Sequence, residues 1–446
     1  MKRSISCVAA ILVFGIRLDS ISAQTPDHQS VARPAPATLR DKSLTMEEAV
    51  QIAFRMNRDI IAARLDLQEA EYDQVAAKLY PNPVFFYQVG DLVLGRGNTQ
   101  DRTPPLHPGI LSQTVHSIGI SELIDIWAKR QQRMQTAEQG MRYKRLLLED
   151  VLREVAYAVR TAYADVIRQR SELDFAIEVR DRYDETVRLS HARFAAGEIS
   201  ESEFRKIELE GLKYQNAVID NQTQRDLAVQ SLAAVMGFAS LDEIPDIFDV
   251  EEVSPMHRSM DDLTAEALKS RPDMRALAEG KRYAFAALSS ARREGYPDLT
   301  LGVTYTHSEF QVSGDNPNSL ALGISMPIPM FDRNQANIGR AEVGIRRFDN
   351  DRQRLTLQIR HEVAMAVRSF KRAETILALF KQGGMLERAE TSLRVAEKSY
   401  KAGAVSLLEF LEAQRTYLEI HDEYLHAQYD QRKSLVDLIH AVGKKP

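Results

Sequence analysis

The chain repeats itself once, at an offset of about two hundred residues. Arg193–Ser200 (RFAAGEIS) matches Ser399–Ser406 (SYKAGAVS) at an offset of 206, and the tripeptide Gly119-Ile120-Ser121 returns as Gly323-Ile324-Ser325 at an offset of 204. A repeat of this length is a whole structural half, because solenoid units span only about 20–50 residues. The sequence therefore predicts two copies of one long motif, arranged with pseudo-symmetry.

The composition favours long helices over a large compact core. Of 446 residues, 44% are hydrophobic but only 7% are aromatic, and the mean hydropathy is −0.32. This balance is typical of chains rich in Ala, Leu, Glu and Arg that form long helices. The net charge of −5 is small for this size, so nucleic acid is not an expected partner. No run of 18 apolar residues is present, and no transmembrane helix is expected.

The first residues have the pattern of a secretory signal peptide, which we assign to residues 1–23. Lys2-Arg3 form the charged start, Cys7–Ile16 form the apolar stretch, and Ile21-Ser22-Ala23 is a cleavage site. Cys7 is the only cysteine, so the mature chain is expected to have neither a disulfide nor a thiolate metal site. Residues 24–43 are polar and rich in Pro and Ala, which predicts a flexible segment.

Each half contains the same order of predicted elements. The first repeat, residues 44–237, reads as one helix from Met46 to Tyr80, strands at Val84–Val89 and Val115–Leu123, a long helix from Arg130 to Phe194 and a return helix. Residues 238–262 form an acidic linker. The second repeat, residues 263–446, reads as one helix through Pro272 to Glu294, strands at 299–306 and 320–326, a very long helical stretch and a return helix after Gly403.

The long helices and the four strands together limit the architecture. A helix of about 65 residues is a rod of roughly 100 Å, and periodicity of that length indicates a coiled coil. Four strands of this length cannot close a barrel, and an open sheet in lipid leaves unpaired backbone groups. Oligomerisation solves the problem, because two chains supply 8 strands and three supply 12. The alternative is a pair of small soluble sheets that cap a helical bundle.

Three segments resemble the TolC-like family of outer-membrane efflux ducts. Ser325–Gln335 (SMPIPMFDRNQ) is similar to the strand-to-helix junction of the CzcC-type branch, which serves heavy-metal efflux pumps. The Gly-x-x-Ser turn followed by acidic residues occurs at Gly197 and again at Gly403. The third segment is the helix end Tyr80-Pro81-Asn82-Pro83. The resemblance covers essentially the whole mature chain.

The resemblance implies a fold that is mainly α with a small β part. In this fold, an internally duplicated α-helical coiled-coil barrel carries four strands per chain, and these contribute to a trimeric 12-stranded transmembrane β-barrel. It also implies a homotrimer in the outer membrane, in contact with outer-membrane lipid and with a long periplasmic extension. A periplasmic adaptor protein and an inner-membrane pump of the resistance-nodulation-division type are the implied partners. The hairpin loops, Gly90 to Leu111 and Ser308 to Ser319, are expected to face the exterior.

The implied function is the exit duct of a tripartite efflux pump for heavy-metal cations. Within the same fold, export of drugs or organic compounds and type I secretion remain alternatives. A periplasmic coiled-coil scaffold or adaptor is the alternative from another class. The sequence contains no nucleophile–base pair, phosphate loop or histidine–cysteine cluster with metal-ligand spacing. Enzymatic activity, a cofactor and a tight metal site are therefore not expected.

Two acidic residues after the second turn are the candidate gate. Glu409 and Glu412 are three residues apart, so they share a helix face, and the resemblance places them in a ring around the periplasmic aperture. In a trimer the stacked carboxylates favour cations. Glu203 is the equivalent in the first repeat. The alternative interpretation is an ordinary solvated helix face.

The turns and the strand ends supply the remaining candidates. Gly197 and Gly403 are expected to adopt a positive φ, with Ser200 and Ser406 as N-caps of the return helices. The resemblance makes these turns the adaptor-docking tips. Trp127, the only tryptophan, follows a strand as Phe331 does in the second repeat. Both are candidate membrane-interface anchors, with packing at the junction of barrel and tunnel as the alternative for Trp127.

Overall fold

The computed structural model describes residues 44–90, 114–239, 247, 258–308 and 316–444. The predicted signal peptide, the segment 24–43 and most of the two predicted exterior loops lie outside these residues. The strands are β1 (Val84–Gly90), β2 (Val115–Ile124), β3 (Leu299–Ser308) and β4 (Asn318–Ser325). The helices are α1 (Met46–Met56), α2 (Arg58–Lys78), α3 (Lys129–Ala195), α4 (Glu201–Met236), α5 (Met260–Ser270), α6 (Pro272–Glu294), α7 (Gln335–Gly383), α8 (Met385–Lys401) and α9 (Leu407–Val442).

The four strands form one antiparallel sheet in the order β1-β2-β3-β4. Each repeat contributes one hairpin, as the sequence predicts, and β2 pairs with β3 to join the two repeats. The register places Ile120 of β2 opposite Phe85 of β1 and Val303 of β3. The sheet is therefore continuous across the internal duplication.

The helices extend away from the sheet in a layer that follows the same pseudo-symmetry. Near the sheet the neighbours are α2, α3, α6 and α7; farther away α4 packs on α3, while α7 and α8 pack on α9. At 67 residues, α3 is about 100 Å long. None of the helices in the described part of the chain is long and apolar enough to cross a membrane.

Two equivalent apolar cores anchor the repeats at mid-height. In the first repeat, α1 packs against α3 and α4 around Val159, Tyr163 and Leu232. In the second repeat, α5 packs against α7 and α9 around Phe370 and Leu438. The short helices α1 and α5 thus pack at equivalent positions against the long helices of the two repeats.

The prediction of one helix from Met46 to Tyr80 is wrong, because the helix breaks at Asn57. This residue has extended backbone (φ −63°, ψ 133°), and its Oδ1 accepts hydrogen bonds from the backbone N–H of Asp59 and Ile60 at 2.9 and 3.3 Å. Its Nδ2 donates to the carbonyl of Val235 at 2.8 Å. Asn57 therefore caps α2 and holds the end of α4.

Arg271 breaks the corresponding helix in the second repeat, which was also predicted as one element. Its guanidinium donates to the carbonyl of Ala441 at 3.2 Å and to Glu362 Oε2 at 2.5 Å. Ala441 lies 206 positions after Val235, so both breaks hold the same point of the two return helices. Arg271 is buried, and the bonds to Asp273 and Glu362 raise its pKa against the opposing effect of burial.

The long helix of the second repeat is also interrupted, where the sequence predicts a continuous stretch. α7 ends at Gly383, Gly384 adopts φ +58°, and α8 begins at Met385. The first repeat has no such break within the described α3. The two rods therefore differ in continuity although their ends match.

Gly237 gives a test of how tightly α4 is held against the break at Asn57. Its φ is +88°, and a Cβ there would lie 2.6 Å from the carbonyl oxygen of Met56. We expect Gly237→Ala to lower the unfolding temperature clearly more than Gly197→Ala. At Gly197 φ is +76° and no described atom lies within 4 Å, so only the left-handed backbone cost of about 1–2 kcal/mol applies. Thermal unfolding of the two variants measures the difference, and equal shifts would contradict the close packing.

Candidate functional site at the tips and the sheet

The two ends farthest from the sheet are nearly identical turns. Gly197 and Gly403 have φ of +76° and +73°, the conformation that the sequence predicts for them. In each turn the residue after the glycine donates its N–H to a carbonyl five residues earlier, at 2.9 Å from Glu198 to Arg193 and at 2.8 Å from Ala404 to Ser399. These bonds satisfy the last carbonyls of the helix and reverse the chain.

Serine hydroxyls begin both return helices, as predicted. Ser200 Oγ accepts from the N–H of Glu203 at 3.1 Å, and Ser406 Oγ accepts from the N–H of Glu409 at 3.3 Å. Two of the three candidate gate residues are therefore at the third position of their helices. Gly197, Gly403 and the residues on either side of them are exposed.

A tyrosine links the two tips within one chain. Tyr400 Oη donates to Glu203 Oε1 at 3.2 Å. Arg193 lies over the Tyr400 ring at 5.6 Å and pairs with Glu198 at 3.2 Å. Burial raises the pKa of the Tyr400 hydroxyl, and the neighbouring Glu203 carboxylate raises it further. The structure therefore gives Glu203 an additional contact, a bond to the other repeat.

Stacked aromatic rings support both tips in the same way. Phe194 stacks on Phe204 at 5.1 Å, and Tyr400 stacks on Phe410 at 5.4 Å. Both members of the second pair lie 206 positions after those of the first. Sequence reasoning missed this pair, although the offset that reveals the repeat could have identified it.

Glu409 and Glu412 lie together on an exposed face of α9. Arg415 lies beside them, pairs with Glu412 at 2.6 Å and reaches Glu419 at 3.9 Å. The hydrogen bond to Glu412 raises the pKa of Arg415. Sequence reasoning missed this cation, although a spacing of three residues indicates such a pair. The candidate ring therefore contains two carboxylates and one guanidinium per chain.

Trp127 and Phe331 lie in different surroundings at the end of the sheet. Trp127 Nε1 donates to the carbonyl of Pro297 at 2.9 Å, and its ring stacks on Tyr296 at 4.9 Å. Phe331 is 88% exposed. Trp127 thus joins the first long helix to the hairpin of the second repeat, whereas the Phe331 ring is open to the surroundings. A membrane-interface role stays a prediction for both.

The two faces of the sheet differ in chemistry. One face carries apolar rows, with Phe85, Ile120, Val303 and Leu322 side by side in one of them. In the adjacent row the opposite face carries Phe86 beside the small or polar residues Gly119, Thr304 and Ala321. Many apolar residues of the first face are exposed, including Leu322 at 80%. An apolar outer face and a small, polar inner face are the pattern of a transmembrane barrel wall.

Among the described residues, no group of three or more His, Cys, Asp or Glu side chains is placed to hold a metal ion.

An open barrel wall on helical rods, with twin turns at the far end, defines the class of outer-membrane ducts. The model of the Outer membrane efflux protein family matches residues 49–238 and 263–444. The chain belongs to this family and is an outer-membrane efflux channel.

Curated relatives and solved structures agree with this family. The cobalt-zinc-cadmium resistance protein CzcC of Cupriavidus metallidurans is 24% identical, over 86% of each chain. The pyoverdine export protein OpmQ of Pseudomonas putida is 22% identical, over 97% of this chain and 96% of its own. The channel CusC superimposes with a TM-score of 0.70 at 18% identity, over 90% of this chain and 92% of its own. VceC of Vibrio cholerae gives 0.69 at 18%, over 90% and 97%.

Proposed function

We propose that this channel is a homotrimer that serves as the exit duct for heavy-metal cations, with an adaptor docked on its tips. The observation that carries the proposal is the open, two-faced sheet at the end of long rods. The periplasmic scaffold is dropped as an alternative, because the chain belongs to an outer-membrane family.

The trimer follows from surfaces that one chain leaves uncovered. Within the described residues β1 and β4 each pair on one side only, and all eight residues of β4 are exposed. Unpaired strand edges in lipid cost several kcal/mol per backbone group. Pairing β4 with β1 of the next copy removes every edge when the ring closes.

Exposed apolar residues continue this interface along the rods. They lie on the outer helices of the layer, at Leu209, Leu212, Ile219 and Leu227 of α4 and at Leu357, Met365 and Leu379 of α7. On α4 the spacing of three and seven places Leu209, Leu212 and Ile219 on one face. A neighbouring copy that presents α7 and α8 to α4 covers both sets. Three chains, the number that the family resemblance implies, then give 12 strands, which is an even number as outer-membrane barrels require.

The resistance-nodulation-division pump is proposed as the third component, because the resemblance to the ducts of tripartite efflux pumps implies an inner-membrane partner. The metal substrate is supported by the relative CzcC, whose name states cobalt, zinc and cadmium, and by the segment Ser325–Gln335. Export of organic compounds is the second candidate, supported by OpmQ and by the toluene efflux protein TtgF, 23% identical over 92% of this chain.

Growth tests distinguish the two substrate classes. We expect deletion of this gene in its own host to lower the inhibitory concentrations of cobalt, zinc and cadmium salts and to leave tolerance of toluene unchanged. Restoring the gene should restore metal tolerance. Sensitivity to toluene with normal metal tolerance would instead support export of organic compounds.

The gate residues give a prediction at the level of charge. In planar bilayers we expect Glu409→Gln/Glu412→Gln to remove cation selectivity. Under a salt gradient, the reversal potential should shift towards the equilibrium potential of the anion. The local charge from Glu409, Glu412 and Arg415 changes from −1 to +1 per chain, since the two carboxylates are lost and the guanidinium remains. A ring of charge at a constriction sets which ions pass.

The matched control is Glu387→Gln/Glu390→Gln on α8. These two glutamates are exposed, three residues apart and in the same repeat. The control removes the same charge with the same spacing, so selectivity should stay as in the wild type. A correctly inserted Glu409→Gln/Glu412→Gln channel that keeps wild-type selectivity would decide in favour of an ordinary solvated face.

A further inference from the structure

Below the sheet-proximal half, the two repeats meet along α3 and α9. We call this contact the α3–α9 seam, meaning the face of α3 between Tyr157 and Thr186 and the face of α9 between Phe410 and His440. The seam is the boundary between the coiled coil α3–α4 and the coiled coil α7–α9. Together with the bond from Tyr400 to Glu203, the seam joins the two tips within a chain.

Aromatic and polar side chains form much of the seam. Phe175 stacks on His421 with ring centroids 3.5 Å apart and planes at 6°. Nearer the sheet, Tyr157 stacks on His440 with ring centroids 4.1 Å apart. Between them the guanidinium of Arg168 lies 4.8 Å from the Tyr429 ring centroid. The neighbouring cores within each repeat are mainly aliphatic by contrast.

Several polar atoms of the seam are buried without a described hydrogen-bond partner. They are Tyr183 Oη and Arg168 Nε on α3, and Gln414 Oε1 and His421 Nδ1 on α9. A cavity of about 30 Å³ borders Tyr183, Thr186 and Gln414, large enough for a water molecule. Unsatisfied buried groups are costly. The seam therefore combines apolar packing with buried polar groups that have no partner within the described chain.

The two stacked histidines differ in whether a hydrogen-bonded carboxylate is available to the protonated ring. His440 Nε2 lies 3.1 Å from Glu154 Oε2, and this hydrogen bond lowers the pKa of Glu154. A charged His440 thus has a carboxylate partner. His421 Nδ1 has none among the described residues. Protonation there would place a charged donor in a buried contact where no described acceptor lies within hydrogen-bond distance of Nδ1.

The groups that face His421 come from both helices. Glu178 and Arg182 lie on α3, and Asp422 lies on α9. Burial lowers the pKa of His421, and Arg182 lowers it further, while Glu178 and Asp422 oppose the shift without reversing it. A charged imidazole over Phe175 also gains some cation–π attraction. The net direction still favours neutral His421 in the closed seam.

We propose that Phe175 and His421 form a proton-sensitive clasp, in which neutral His421 holds the two coiled coils of a chain together and protonated His421 releases them. The clasp is a device for joining or separating the tips in response to acid. It does not depend on which compound the duct exports. A trimer carries three such clasps, one inside each chain.

The sign of the pH effect follows from the lowered pKa of His421 in the closed seam. An exposed histidine titrates near pH 6.5. Above that pH both states are neutral, and the clasp is fully effective. As the pH falls below about 6.5, the open state takes up the proton first, and the closed seam is progressively lost. At pH 5.5 the open-to-closed ratio rises by up to about tenfold.

Cysteine accessibility in the full trimer measures this opening. Cys7 is the only cysteine and lies in the predicted signal peptide, so Thr186→Cys introduces a single reporter into the mature chain. Thr186 is 2% exposed and lies about 16 Å along α3 from Phe175. The probe is a maleimide, and its rate is divided by that of Ser289→Cys on an exposed part of α6. This division removes the pH dependence that the two thiols share.

We expect the normalised labelling rate of Thr186→Cys to rise several-fold, up to about tenfold, between pH 7.5 and pH 5.5. His421→Phe and the more conservative His421→Gln should each abolish the rise. His440→Phe, which removes the partnered histidine of the same seam, should leave the rise in place. A rate that does not change with pH, or an unchanged rise in His421→Gln, would overturn the proposal. Native electrophoresis confirms that each variant is an assembled trimer.

Discussion

Gly403→Val should abolish efflux while the protein still inserts into the outer membrane as a trimer. Gly403 has φ +73°, where a residue with a Cβ pays about 1–2 kcal/mol and a β-branched residue is a genuine outlier. Valine therefore forces the turn between α8 and α9 to rearrange. The sheet lies roughly 100 Å away along the rods, so barrel assembly is not affected. Loss of tolerance to the exported compound with normal amounts of trimer in the outer membrane is the expected result.

Gly403→Asn is the matched control for this turn. Asparagine adopts the left-handed conformation more readily than other residues with a Cβ, and no described atom lies within 4 Å of the position of the added Cβ. We expect the asparagine variant to keep most of the wild-type tolerance. If Gly403→Val exports normally from the outer membrane, the geometry of this tip is not needed for docking. If Gly403→Asn fails as severely as Gly403→Val, the cause is the presence of a side chain at this position and not the backbone geometry.

The features that could be predicted from the sequence are those set by neighbouring residues. Alternating apolar residues identify the four strands, and a glycine followed three positions later by serine identifies both tips. Each of these signals needs fewer than ten residues, because the strand period and the helix cap are local properties. The internal duplication then repeats each signal, and this makes the two halves recognisable.

The helix breaks combine a local signal, the N-cap Asn57 and Pro272 directly after Arg271, with contacts that no local window contains. Asn57 meets Val235 and Arg271 meets Ala441, over separations of 178 and 170 residues. The sequence alone does not show that Asn57 also holds the end of α4, since that contact appears only in the folded chain. Gly384 is different, since the pair Gly383-Gly384 was a visible signal for a break.

In the candidate gate, too, some features are local in the sequence and others depend on distant contacts. The spacing of Glu409 and Glu412 fixes their common face, and the structure places both on it. The link from Tyr400 to Glu203 joins residues 197 positions apart and depends on how α8 packs beside α4. Arg415 is a local feature that charge pairing could have indicated. The expected negative charge of the candidate ring is therefore smaller than the two carboxylates alone suggest, because the Arg415 guanidinium offsets part of it.

Leu322→Arg should prevent the protein from accumulating as a trimer in the outer membrane. Leu322 lies in the middle of β4, in the apolar row with Val303, and is 80% exposed in the single chain. An arginine on the lipid face near the bilayer midplane costs about 2–4 kcal/mol, and a trimer bears that cost three times. The control is Ala321→Arg, one residue earlier on the opposite face, because a one-residue step in a strand reverses the direction of the side chain.

Outer-membrane fractionation followed by electrophoresis without heating measures the trimer of each variant. Arginine at position 321 faces the water-filled interior, so this variant should assemble and alter only conductance. The pair thus tests which face of the sheet meets lipid, independently of the tips and of the substrate. Equal assembly of both variants would mean that the apolar face is not lipid-exposed, and the barrel would have to be rejected. Assembly of Leu322→Arg together with loss of Ala321→Arg would place the apolar rows inside the barrel, contrary to the chemistry of both faces.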